Sequence, residues 1–415
     1  MQLNDERELR MINSKYMYSN EYTRQFLEFA SKDYKNREKL AAVFVDRGLV
    51  LPLKKSAPGG PLMGYGGVLD KEDNYVEESA QIGKGDTLPR FTGKYDYDKE
   101  SVQNFDETVI YIGAFPEHWG HFLMDMVYRF WYFLESKERY RIVYCSEGPE
   151  ISGVFLEFFR LLGIDGERLY RIEKPSRFKQ VIIPKAGYMA CDYYTEEYRS
   201  VFRKIVDNLP ELSIMPYDKI YLSRGHFKEA QGKEVGEKNI EYNFRQNGFQ
   251  VVYMEELSLT EQAYYISHAK VVAALSGTLC HNILFAGKNT ELLILNKTHI
   301  INTHQVLIDQ MMEIPVTYVD IYKEPYKRFP VSYGGGPFLL DSRGLMEYFR
   351  DKGMGFYPER KSVVFLNRLL YTKMCLGIRL YKLYEKTYYK VCEYEWLIGM
   401  LRKMKAMAGR QGKHE

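Results

Sequence analysis

Between Lys219 and Asn296 the chain alternates short apolar runs with segments of helical period. No other feature constrains its folding as much. Ile220-Tyr-Leu222, Gln250-Val-Val-Tyr253, Val271-Val-Ala-Ala-Leu275 and Glu291-Leu-Leu-Ile-Leu295 read as strands. Strands separated by helices define βαβ units and a parallel sheet, since a parallel neighbour is reached only by a crossover. The punctuation agrees. Asn247-Gly248 closes a helix, because glycine accepts the left-handed backbone at a helix end, and Ser258 with Glu261 makes a capping box for the next one.

The strand Val271–Leu275 runs into Ser276-Gly277-Thr278, where another helix is expected to begin. A glycine at such a turn lets backbone N–H groups and the helix dipole face an anion, most often a phosphate. Ser276 and Thr278 add hydroxyls, and His281 and Asn282 follow within the first turn. Arg224, just after Ile220–Leu222, can fork onto the same anion. One glycine turn is often only a tight connection. Two strand ends with phosphate-suited residues in one sheet favour nucleotide binding.

A second informative stretch follows the strand Val109–Ile112. Pro116 and Glu117 suit a helix start, after which His118, His121, Asp125 and Arg129 share one side at spacings of three and four. His121 and Asp125, at i and i+4, can hydrogen-bond so that the carboxylate sets the imidazole tautomer and raises its basicity. The rest of the helix is strongly apolar, so the polar stripe is expected to line a cleft. The alternatives are a buried pair tying the helix to a loop, or metal binding by His118, His121 and Asp125, which lacks a fourth ligand at recognisable spacing. Asp96-Tyr97-Asp98 has the form of a metal-binding pair, but its flanks read as a solvated surface turn.

Taken together, Ser223-Arg224, Gly248-Phe-Gln-Val-Val252, Glu255-Glu-Leu-Ser-Leu-Thr-Glu-Gln262 and Ser276-Gly-Thr-Leu-Cys-His-Asn-Ile-Leu-Phe285 resemble glycosyltransferase family 61. The likeness reaches back to Gly113–Leu134. It implies a GT-B fold, in which two Rossmann-like domains face a cleft, a nucleotide-sugar donor, inversion at the anomeric carbon and no required metal. His121 and Asp125 match the family's His and following Asp, as catalytic base and its orienting carboxylate. His118 and Arg129 are acceptor-side candidates. Arg224, Glu255, Gln262, Ser276, Gly277, Thr278, His281 and Asn282 are donor-side candidates, with Glu255 suited to ribose hydroxyls. The chain departs from the family where a second basic residue is usual: Gly225-His-Phe-Lys228 stands there, so that Lys228 or Lys233 would supply the charge. Transfer of a pyruvyl or polyol-phosphate group to a polysaccharide is an alternative, as is a silent nucleotide- or glycan-binding scaffold.

At 415 residues the chain accommodates two domains with full cores. The expected division is 1–210 for the acceptor side, with N-terminal helices and a β-hairpin after Gly64, and 211–335 for the nucleotide-sugar side, with Pro210 and Pro216 at the boundary. A basic helical extension over 336–415 completes it. A net charge of +3 argues against a general nucleic-acid binder. Five scattered cysteines without a CxxC pair suit a reducing compartment. With no apolar core after the first charges and no run of about 20 apolar residues, a cytoplasmic protein is expected. The 36 tyrosines suit sugar stacking but serve equally as core filler.

From Ser362 to about Lys405 the chain is almost continuously helix-compatible, with mostly basic charges among Leu, Tyr and Met. Two readings stand: a peripheral contact with an anionic membrane surface, or a terminal helix crossing back onto the first domain. Ala408–Glu415 reads as a disordered tail.

Overall fold

The computed structural model describes residues 12–56, 60–82, 90–148, 150–227, 233–300, 302–330 and 332–411, without side chains for most of 389–411. Lys228 and parts of the Pro58-Gly-Gly-Pro61 break and of the C-terminal tail lie outside these residues.

In chain order the first elements are β1 (Ile12–Tyr16), α1 (Glu21–Ala30), β2 (Ala42–Asp46), β3 (Leu49–Lys54), β4 (Tyr65–Leu69) and β5 (Gln103–Ala114). They continue with α2 (Trp119–Asp125), α3 (Trp131–Glu135), β6 (Arg141–Cys145), α4 (Gly153–Leu161), β7 (Leu169–Ile172) and β8 (Ser176–Pro184). Two short strands, β9 (Tyr188–Met189) and β10 (Tyr193–Tyr194), precede α5 (Glu196–Asp207). β5 through β8 form a parallel layer in the order β8-β5-β6-β7, and β2, β3 and β4 join it antiparallel. β4 turns back through residues 70–74 so that Tyr75 bridges Leu69, the hairpin expected after Gly64.

The second half holds β11 (Lys219–Ser223), β12 (Glu234–Val235), α6 (Glu237–Gln246), β13 (Gln250–Tyr253), α7 (Leu259–His268) and β14 (Val271–Leu275). It then adds α8 (Thr278–His281), β15 (Glu291–Asn296), α9 (Thr303–Met312) and β16 (Val316–Asp320). These strands form one parallel sheet ordered β13-β11-β14-β15-β16, with β1 on its far edge. The inner strands β11, β14 and β15 are buried on both faces. Ile220, Leu222, Val272 and Ile294 enter one core, while Tyr221, Ala273, Leu275 and Leu293 enter the other, which explains the unbroken apolar runs of the sequence. Ser258 and Glu261 form the expected capping box, and Gly248 has φ +78° after α6.

Three local expectations change. Of residues 1–50, expected to be helical and to pack on the first half, 12–16 are a strand paired with β16 and 42–46, with Val43 and Phe44, a strand paired with β8. The helix of residues 117–131 is broken. Glu117 is left-handed, His118 is the N-cap, and Met126 (φ −130°, ψ −49°) ends α2 before a 3-10 turn over Val127–Arg129. Finally, α8 is one turn long and passes into a 3-10 turn at Asn282–Phe285, so little helix dipole stands behind Gly277.

The halves share one apolar core. Phe158 of α4 and Phe202 of α5 pack edge-on against Phe285 at 6.4 and 6.0 Å. The Glu157 carboxylate accepts from the backbone N–H groups of Leu259 and Thr260 at 2.8 and 2.9 Å, placing a negative charge at the N-terminus of α7.

The chain ends with β17 (Tyr322–Lys323), β18 (Phe338–Leu340), α10 (Leu345–Asp351) and α11 (Lys361–Gln411). β12, β18 and β17 make a small sheet against which the early turns of α11 dock, so these turns lie on the second half and do not cross back onto the first. α11 runs to Gln411, past the expected start of a disordered tail.

Candidate active site

In the second sheet β13 and β14 lie on opposite sides of β11, so the connections diverge at the carboxyl ends of β11 and β14. Open α/β sheets bind ligands at such a switch point. Leu222 pairs with Ala274, which brings Ser223-Arg224-Gly225 beside Ser276-Gly277-Thr278. Gly277 has φ +146°, and a Cβ built on it would approach only the Lys297 Nζ, at 3.9 Å. Open space thus fronts the turn, with a cation at its back. That cation is almost fully buried, 2.9 Å from Glu234 Oε1 and over the Phe338 ring, and burial lowers its pKa. The Ser276 hydroxyl is turned inward, accepting from the Lys297 N–H at 3.3 Å. The Arg224 guanidinium lies over Phe227 and is partly exposed. Lys233 is exposed.

The other wall comes from the start of α2. His121 Nδ1 lies 3.0 Å from Asp125 Oδ2, the geometry of an N–H donating to a carboxylate, which leaves Nε2 with its lone pair. The imidazole is 40% exposed and the carboxylate only 15%. Arg90 Nε reaches the same oxygen at 2.8 Å, and the Gln81 amide donates to the Asp125 and Ala114 carbonyls, tying the helix end to the end of β5. His118 accepts weakly from the His121 N–H through Nδ1 at 3.4 Å, and its ring lies 4.8 Å from that of His121. Burial first, then the neighbouring His121, Arg224 and Arg90, lower the His118 pKa. The Arg224 charge of the second half thus acts on His118.

The walls touch at Gly120 and Thr278, and Trp119 Nε1 donates to Asn282 Oδ1 at 2.7 Å across the same seam. Four sequence candidates serve the frame instead of the opening. Asn282 is held by Trp119. His281 donates from Nδ1 to Gln305 Oε1 at 2.8 Å, and burial lowers its pKa to about 3. Gln262 donates to the carbonyls of Met254 and Leu257, which fixes the turn bearing the exposed Glu255. Arg129 is turned inward because the helix ends at Met126. Its guanidinium donates to the carbonyls of Pro184, Glu78 and Ala80.

Behind the seam, Gln305 and Tyr318 both donate to Asp309, whose carboxyl burial raises to about 7. His304, half-buried and hydrogen-bonded to Tyr188, is lowered by desolvation to about 4. A small hollow beside Ser276, at the ends of β15 and β16, is lined by Tyr22 and Phe26 of α1. Arg90, Gln81 and Lys297 are absent from the sequence reading. The first two follow a hairpin with no motif, and Lys297 carries only the weak signal of a charge at the end of an apolar strand.

Among the described residues no group of three or more His, Cys, Asp or Glu is arranged to hold a metal ion, and Asp98 merely caps a surface turn. No described helix is long and apolar enough to cross a membrane.

The seam between the two halves of this α/β protein thus carries the Ser276-Gly277-Thr278 turn on one side and the His121–Asp125 pair on the other. A family model described as Glycosyltransferase 61 matches residues 119–293, a span holding His121, Asp125, Arg224 and the Ser276–Thr278 turn. The chain is similar to that family over this span, which holds most of the motifs that carry the resemblance. No curated protein matches the chain.

Proposed function

We propose that this protein is an inverting glycosyltransferase of GT-B architecture that moves a sugar from a nucleotide-sugar to a glycan acceptor without a metal. The division is 1–210, 211–335 and 336–415, with β1 lent to the second unit's sheet. One observation carries the reading: α2 and the Gly277 turn meet at Gly120 and Thr278, so that His121 and the anion cradle border the same opening.

His121 Nε2 takes the proton of an acceptor hydroxyl as its oxygen attacks the anomeric carbon, and Asp125 orients the ring and stabilises the imidazolium. The bond from that carbon to the diphosphate breaks with inversion, and the nucleoside diphosphate leaves with the electron pair. Arg224 and the backbone N–H groups around Gly277 stabilise the departing oxygens. Glu255, exposed after β13, suits the ribose hydroxyls, and His118 faces the acceptor. The family resemblance extends the reading to bacterial surface-polysaccharide assembly at the cytoplasmic face.

The test is a binding and hydrolysis screen of the purified protein against a panel of nucleotide-sugars, with and without EDTA. Donor-specific binding and slow hydrolysis that survive EDTA are expected. Activity abolished by EDTA would overturn the metal-free mechanism, and absence of any nucleotide binding would overturn the transferase itself.

A further inference from the structure

The 51 residues of α11 make a helix about 76 Å long at the usual rise. Only one side of its early turns is covered: Tyr371 and Cys375 are buried, with Met374 and Ile378 beside them, against Val235 and Phe329. On the opposite side Leu366, Leu369, Leu376, Leu380 and Leu383 are each 55–62% exposed. Their spacings of three, seven, four and three residues keep them in one stripe, with Lys373 in the gap. Lys361, Arg368, Lys382 and Lys386 are exposed on the same length of helix, Arg379 lies over the Tyr326 and Phe329 rings, and no Asp or Glu occurs between Lys361 and Tyr384.

We propose that α11 lies in the plane of an anionic lipid surface, with its leucine stripe in the acyl boundary and its Lys and Arg side chains on the headgroups. Charge selects this occupant. The helix carries eleven Lys and Arg against three Asp and Glu, while the whole chain is only +3, so the rest of the molecule is net negative. A second copy of the helix would bring the same basic flank to the seam, with no carboxylate before Glu385 to pair with it. A bilayer accepts a broad aliphatic stripe and rewards each cation beside it, and Lys373 can reach up from the stripe to the headgroups. With no described helix apolar enough to span, the contact is in-plane. It follows from the helix alone and holds whatever reaction the cleft performs.

The experiment uses the full chain with vesicles of phosphatidylcholine alone and of phosphatidylcholine containing about 30 mol% phosphatidylglycerol, at low and high salt. Binding to the anionic vesicles is expected to be tighter by about tenfold or more, and to weaken with salt. The exposed-site variants Leu369→Gln/Leu376→Gln/Leu380→Gln and Arg368→Gln/Lys382→Gln should each lose about tenfold or more in binding while keeping the wild-type circular dichroism and melting temperature. Equal binding to both vesicles, or variants that bind as wild type does, would overturn the proposal. So would a chain that ignores vesicles and sediments as a dimer that the leucine variant dissociates, since that outcome assigns the stripe to self-association.

Discussion

Gly120 and Thr278 lie against each other where the two halves of the molecule meet. A Cβ on Gly120 would stand 3.0 Å from Thr278 Oγ1 and 3.1 Å from its Cγ2. The first residue lies in the first turn of the helix that carries His121, and the second follows Gly277 at the end of β14. Their separation therefore sets the distance across the opening.

Gly120→Ala tests this spacing directly. Alanine suits a helix, so any loss must come from the contact with Thr278, at about 1–3 kcal/mol for an overpacked site. The melting temperature and turnover should both fall. Gly120→Ala/Thr278→Ala should recover most of the stability, whereas additive losses in the double variant would show that the contact does not set the spacing.

His121→Ala should lower turnover by roughly 10²–10⁴-fold, the range for a general base, and leave the donor dissociation constant unchanged. The imidazole is 40% exposed, so stability should barely move. Retained turnover would place the base elsewhere.

Arg224→Gln should weaken nucleoside diphosphate binding by roughly tenfold to a hundredfold, the worth of a charge-assisted hydrogen bond. Binding of the bare nucleoside should not change. Equal losses for both ligands, read by titration calorimetry, would detach Arg224 from the phosphates.

Arg129→Met should act on stability. Its buried guanidinium serves three carbonyl groups, two of them buried, and their loss should cost about 3 kcal/mol in denaturant melts. The donor dissociation constant of the folded protein should stay as in the wild type.

Asp309 predicts a pH dependence. Its carboxyl titrates near 7 in the folded chain against an ordinary value of 3.8. The folded protein thus keeps a proton that the unfolded chain has already released, so this contribution is fully present below pH 3.8 and is lost as pH rises to about 7. Wild type should lose stability relative to Asp309→Asn across that window, by up to a few kcal/mol. His281 and His304, held neutral with values lowered to about 3 and 4, act in the opposite sense below pH 6.5 in both proteins and largely cancel in the comparison. A difference that stays flat with pH would show Asp309 ionised throughout.

The sequence by itself determined the second sheet, since doubly buried parallel strands need unbroken apolar runs and crossovers need capped helices, and both are local patterns. It also determined the His121–Asp125 pair, because i and i+4 positions meet within one helix. The tertiary structure alone decided which polar residues face the opening. Arg129 lies inside because one backbone angle at Met126 ends the helix, and Gln262, His281 and Asn282 are taken by partners on other elements. Arg90 and Lys297 enter the site from strands and loops far along the chain. The pairing of β1 with β16, some 300 residues apart, is of the same kind. Such contacts depend on how separate elements pack, which no spacing within a single element records.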